Sequence, residues 1–254
     1  MRCRMILMLM PLMLLLGCKP EVAPEPPVVE VVSYIDRTVF VEVEPESAFD
    51  AETAMDCVVH IKAEKETAVM YDEYLRAQSG QSWQGSGCFI SNDGVILTAG
   101  HVVDGASSII VTLRDGIELE AVHFWKADNM DVGFIKVDVT NVPFLEFDVG
   151  GVNLAEDVFI LGHPFGIANK WSITKGIISN TDRDRQGYFG EKLMLQSDAA
   201  SWPGNSGGPV LNKTGRIVGV LVGGIGGHEC LSYIVPSWIA KEWSDVFYEW
   251  LQTR

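Results

Sequence analysis

Between residues 57 and 234 short apolar runs follow one another, each cut off by glycine, asparagine or aspartate. Runs at 58–61, 87–90, 95–98, 109–113, 121–125 and 133–137 read as strands, as do those at 157–161, 172–179, 192–196, 209–211, 217–222 and 231–234. Asn92-Asp93-Gly94 between two of them is a hairpin signal. Many short strands at regular spacing predict an all-β sandwich or barrels. Two stretches break the pattern. The polar segment 63–84 contains a helix-compatible part at 68–77. At the C-terminus Ile239, Trp243, Val246, Phe247, Trp250 and Leu251 recur at helical spacing, with Ser237 as the expected N-cap and the apolar stripe packed on the core.

With 254 residues, 47% of them apolar, the chain can bury one large β-domain or two small ones. Its formal net charge of −15 offers no basic face, so nucleic acid is not an expected partner.

The first residues read as a targeting segment. Arg2 and Arg4 precede an apolar run over 5–16, too short for the roughly 20 residues a membrane-spanning helix needs. The run ends in Leu15-Leu16-Gly17-Cys18, which resembles the bacterial lipoprotein box. Residues 1–17 are thus expected to be a signal peptide, and Cys18 the lipidated residue of an exported protein, anchored to a bacterial membrane and facing the periplasm or exterior. An ordinary secretory signal is the plainer alternative. Residues 18–56 carry ten acidic side chains and five prolines and read as an extended tether, although 28–43 is β-prone. Of the remaining cysteines, Cys57 and Cys88 are the pair best placed for a disulfide, and free thiols are the commoner outcome. His228-Glu229-Cys230 reads as a polar loop, because three adjacent residues cannot face one ion, and no metal site is expected.

Three segments carry chemistry in combination. In the first, the strand run at 95–98 leads into His101 through Leu97-Thr98-Ala99-Gly100. Asp131 stands at the mouth of the apolar run Val132-Gly133-Phe134-Ile135, with Asp128 as the alternative acid. Ser206 lies in Pro203-Gly204-Asn205-Ser206-Gly207-Gly208-Pro209, where glycines permit a tight turn that aims successive N–H groups into one space. Acyl transfer needs that arrangement for a developing oxyanion.

The order His, Asp, Ser is that of the chymotrypsin-like enzymes, not of α/β-hydrolases or subtilisins. More narrowly, the chain resembles the HtrA/Deg branch of the trypsin-like serine proteases. The resemblance rests on Gly85-Ser86-Gly87-Cys88-Phe89-Ile90-Ser91, on residues 96–106 around His101, on Leu161-Gly162-His163-Pro164-Phe165-Gly166, on Gln196-Ser197-Asp198-Ala199-Ala200 and on the Ser206 turn.

The resemblance implies two six-stranded antiparallel β-barrels with the site between them, barrel one about 57–147 and barrel two about 148–236, followed by the helix at 237–252. The protease domain is thus 57–254. It further implies a serine endopeptidase with His101 as base, Asp131 as its orienting acid and Ser206 as nucleophile, and an oxyanion hole in Gly204-Asn205-Ser206 formed by the N–H groups of Gly204 and Ser206. No cofactor is implied. Substrates would be protein or peptide segments, with a pocket walled by Ala200, Val220, Leu221 and Val222 that favours small aliphatic side chains. His163 stands where relatives often have Asn and reads as structural. Relatives usually carry PDZ domains after the protease, whereas here only the helix pattern follows, and oligomeric state is left open. Two other readings are a non-catalytic binding protein on the same scaffold and a structural lipoprotein whose tether recruits a partner.

Overall fold

The computed structural model describes residues 28–34, 37–43, 49–66, 81–185, 191–225 and 228–254. The chain divides into a unit over Met1–Glu46 and a larger one over Ser47–Arg254. In the first, β1 (Val28–Tyr34) and β2 (Arg37–Val43) pair antiparallel, so the β-prone part of the expected tether is a hairpin. The expected signal peptide, Cys18 and the helix-compatible 68–77 lie outside the described residues.

The larger unit begins ten residues before the expected boundary at Cys57. Helix α1 (Ala51–Asp56) is capped by Asp50, whose carboxylate accepts the Glu52 N–H, and it buries Ala54 and Met55. Local capping and two buried apolar side chains order the end of an otherwise acidic stretch.

Strands β3 (Val58–Lys65), β4 (Gln81–Phe89), β5 (Val95–Thr98), β6 (Ser108–Thr112), β7 (Glu118–Lys126) and β8 (Gly133–Val137) close one barrel in the order β3-β4-β5-β8-β7-β6. The second barrel runs β10-β11-β14-β13-β12-β9, from β9 (Asp157–Gly162), β10 (Ser172–Arg185), β11 (Glu191–Ser197), β12 (Pro209–Leu211), β13 (Ile217–Ile225) and β14 (His228–Pro236). All ladder pairings are antiparallel. Each predicted run coincides with one strand, Ile90 and Leu113 lying one residue beyond the ends of β4 and β6. The expected hairpin turn joins β4 to β5, with Gly94 at φ 93°.

Strand alternation sorts the apolar side chains into three clusters. Val59, Ile61, Phe89, Ile96 and Ile135 fill barrel one, and Val158, Ile160, Ile178, Val210, Leu221 and Ile234 fill barrel two. The third cluster holds the two together: Val58, Cys88, Leu97 and Phe134 from the first barrel meet Leu161, Val220, Val222 and Val235 from the second. Helix α3 (Ser237–Leu251) closes this cluster with Ala240 and Phe247. Phe247 stacks on Phe134 of β8 with ring centroids 5.3 Å apart.

The helix differs from expectation in two respects. Pro236 is its N-cap and Ser237 its first residue, because the Ser237 hydroxyl is drawn away to the Asp148 carbonyl. Val246, placed in the apolar stripe, faces solvent. Among the described residues no helix is long and apolar enough to cross a membrane.

Candidate active site

Strand β5 ends at Thr98, and Ala99 stays extended before α2 (Gly100–Val103) lifts His101 off the barrel end. Because β5 pairs with β8 as Thr98↔Gly133, the residues just before Gly133 come to lie beside those just after Thr98. Asp131 thereby meets His101 twice. Its Oδ1 accepts the His101 backbone N–H at 2.6 Å, and its Oδ2 lies 2.7 Å from Nδ1. A carboxylate can only accept here, so Nδ1 carries a proton, and in the neutral imidazole this leaves the lone pair on Nε2. Asp131 is buried while the imidazole is half-exposed, as an acid that orients and a base that works on an outside substrate require. Asp128, the alternative acid, is exposed.

The Ser206 turn is held from both barrels. Gly204 (φ 101°) and Gly207 (φ 85°) take conformations that side chains disfavour. The Gly207 N–H donates to the Leu221 carbonyl at 2.7 Å, and the Ser206 carbonyl accepts the Ser86 N–H of β4 at 2.8 Å. A Cβ on Gly207 would run into Thr98 Oγ1 and the Ser86 carbonyl, so the turn sits directly on the strand end that leads to His101. Across Gly85 the two segments meet again: a Cβ there would lie 2.7 Å from Val102 and 3.1 Å from the Ser206 carbonyl. Ser206, His101 and Asp131 thus gather at one inter-barrel seam. The Ser206 hydroxyl itself donates to the Val222 carbonyl at 2.9 Å.

Of the N–H groups in the expected oxyanion segment Gly204-Asn205-Ser206, that of Asn205 is spent on the Trp202 carbonyl at 3.0 Å. Those of Gly204 and Ser206 have no protein acceptor among the described residues.

The expected pocket set is not brought together. Val220 and Val222 point into the inter-barrel cluster and Leu221 into the interior of barrel two, all three essentially fully buried. Consecutive residues of a strand face opposite ways, so the three cannot wall one pocket. Ala200 alone is part-exposed. Beside it, Ser201 faces Gly224, whose missing Cβ would lie 3.6 Å from the Ser201 hydroxyl, and Gly223 faces open space.

Cys57, Cys88 and Cys230 are free thiols. Burial, with Asp56 adding to it, pushes Cys57 up to about 12, and burial raises Cys88 well above its ordinary value, so neither is a ready nucleophile. Among the described residues no cluster of three metal-ligating side chains occurs.

A family model described as a trypsin-like peptidase domain matches residues 85–220, more than half of the chain. The chain belongs to the trypsin-like peptidase family. Its relatives place this trypsin-like peptidase in the HtrA/Deg branch. A DegP-like periplasmic serine endoprotease of Chlamydia muridarum is 35% identical over 173 residues, covering 66% of this chain and 34% of that protein. The Halomonas elongata counterpart is 39% identical over 167 residues, covering 63% and 34%. Among solved structures, the HtrA-type protease AlgW with a tripeptide superposes with a TM-score of 0.65 at 29% identity, over 76% of this chain and 62% of that one. A serine endoprotease from Yersinia pestis gives 0.60 at 26% identity, over 78% and 66%. This trypsin-like peptidase spans about a third of the length of the curated relatives it matches.

Sequence reading missed two parts of the site: the Val222 carbonyl, which holds the serine hydroxyl, and Ser86, which reaches the turn from the other barrel. A backbone carbonyl leaves no trace in residue identity. Ser86 does stand inside the motif Gly85-Ser86-Gly87-Cys88-Phe89-Ile90-Ser91.

Proposed function

We propose that this chain is an exported serine endopeptidase in which Ser206 attacks a peptide carbonyl, His101 moves the proton and Asp131 orients His101. What carries the reading is the doubly bonded His101–Asp131 pair beside the Ser206 turn. Rotation about the Ser206 Cα–Cβ bond releases the hydroxyl from Val222 and turns it toward Nε2 of His101. Nε2 takes the hydroxyl proton as Oγ bonds to the carbonyl carbon, and the carbonyl electron pair moves onto oxygen. The N–H groups of Gly204 and Ser206 stabilise that charge. The imidazolium, held by Asp131, then returns the proton to the leaving amine, and a water repeats the sequence in reverse to free the acid. No cofactor enters these steps.

Substrates are unfolded or exposed protein segments outside the cytoplasm, in keeping with the periplasmic names of the relatives. With Ala200 rather than an acid six residues before Ser206, no carboxylate at that position selects Lys or Arg. Lipidation at Cys18 anchors the enzyme to a membrane facing the periplasm or exterior.

A fluorophosphonate probe tests the assignment. It should label wild-type protein at Ser206 and leave Ser206→Ala unlabelled. Labelling elsewhere, or undiminished casein cleavage by Ser206→Ala, would overturn it.

A further inference from the structure

Ser86 is fully buried on β4, and all of its polar groups are engaged. Its N–H donates to the Ser206 carbonyl (2.8 Å), and its carbonyl accepts the Thr98 hydroxyl (2.7 Å). Its hydroxyl donates to the Gly204 carbonyl (2.7 Å) and accepts the His163 N–H (3.0 Å), with His163 Nδ1 at 3.1 Å. A serine hydroxyl has one proton and two lone pairs. The proton is on the Gly204 carbonyl and one lone pair faces the His163 N–H, so Nδ1 has to approach as a second donor. His163 is then the Nδ1–H tautomer with Nε2 bare. That atom is buried without a partner, beside the rings of Trp171 and His60 at 5.0 and 5.3 Å between centroids.

The carbonyls Ser86 binds, those of Gly204 and Ser206, belong to the two residues whose N–H groups face the oxyanion. A trans peptide is planar, so pinning a carbonyl also sets the direction of the following N–H. With the Gly204 carbonyl on Ser86, the Asn205 N–H is turned away to Trp202. One peptide earlier, the Pro203 carbonyl accepts the Phe165 N–H at 2.7 Å, which turns the Gly204 N–H to the opposite side. Phe165 can donate there because it adopts φ 58°, in the turn that begins at His163. Both peptide planes flanking Gly204 are therefore set by Ser86 and the 163–165 turn, and His163 joins the two.

We propose that Ser86 and His163 are positioning residues: the saturated Ser86 hydroxyl, oriented by His163, holds the Gly204 peptide groups so that the oxyanion donors face the carbonyl attacked by Ser206. This rests on the reading of Ser206 as the nucleophile. The role is specific to the transition state, so it acts on kcat and leaves substrate binding alone.

The test compares Ser86→Ala, His163→Asn and His163→Leu in peptide hydrolysis and in inhibition by a peptide boronate, which forms a tetrahedral adduct on the serine. Loss of one oxyanion donor costs about 10²–10³-fold, and misorientation should cost less. Ser86→Ala and His163→Leu are expected to lower kcat and boronate affinity together by roughly 10–100-fold, with KM within about twofold. His163→Asn, whose amide can donate to the same hydroxyl, should stay within about threefold of wild type. Should Ser86→Ala fail to fold, the contrast between Asn and Leu at 163 decides. Unchanged kcat in Ser86→Ala, a loss in KM alone, or equal effects of Asn and Leu would overturn the inference. A wild-type protein inert to fluorophosphonate would instead overturn the proposed function, and this inference with it.

Discussion

Ser206 and Val222 are joined by a 2.9 Å hydrogen bond from the serine hydroxyl to the valine carbonyl. The bond ties the proposed nucleophile to the middle of β13, while His101, the proposed base, is held by Asp131. The hydroxyl has a single proton, so it cannot serve Val222 and His101 at once. In the proposed mechanism the hydroxyl therefore leaves Val222 before it gives its proton to His101.

Replacing Ser206 or His101 by Ala should lower kcat by about 10⁴–10⁶-fold, while Asp131→Asn should lose about 10⁴-fold through the wrong imidazole tautomer. Steady-state hydrolysis of a chromogenic peptide measures all three. An Asp131→Asn variant with near-native kcat would remove the orienting role from the His101–Asp131 contact.

Gly207→Ala should behave like a loss of the nucleophile. At φ 85° a side chain is disfavoured, and the added methyl would strike Thr98 and the Ser86 carbonyl, neither of which can give way cheaply. The expected outcome is at least a 100-fold slower reaction with fluorophosphonate, by analogy with a displaced oxyanion donor. Native reaction rates would mean that the turn tolerates displacement.

Acid should weaken the fold through His163. Burial, then His60 and Lys170, hold it down at about 3, against an ordinary value of 6.5. Burial lowers His60 as well. In that interval the unfolded chain binds a proton the native chain refuses, so stability is full above pH 6.5 and is lost as pH falls toward 3. One such group contributes a slope of about 1.4 kcal/mol per pH unit. Between about pH 7 and about pH 5, the Tm of His163→Asn should fall less than that of wild type. Parallel curves would clear His163 of the effect.

Phe247→Ala should destabilise the larger unit by about 3–5 kcal/mol, since the ring is fully buried where α3 meets both barrels. Denaturant midpoints read this directly. A change below about 1 kcal/mol would show that the helix is not needed to hold the cluster together.

Cys18→Ala should abolish lipidation and move the exported protein from the membrane to the soluble fraction, as read by fractionation and mass spectrometry of the mature N-terminus. A mature chain that begins elsewhere without lipid would sink the anchor assignment.

Residue order alone determined the strands, the hairpin turn at Asn92-Asp93-Gly94 and the amphipathic helix, because periodicity, turn chemistry and glycine conformation act within a few residues. The short motifs around His101, Asp131 and Ser206 marked the seam for the same reason. Tertiary structure decided what depends on which face a side chain takes and what stands opposite. Ser237 lost its capping role to a carbonyl 89 residues away. Val220, Leu221 and Val222 were divided between two cores by the pleat of β13. Asp131 prevailed over Asp128 because the β5–β8 pairing carried only the former to the imidazole. Ser86 reached Gly204 across 118 residues of chain. Hydrogen bonds of that range form only once both barrels have closed and excluded water, so nothing local in the sequence records them.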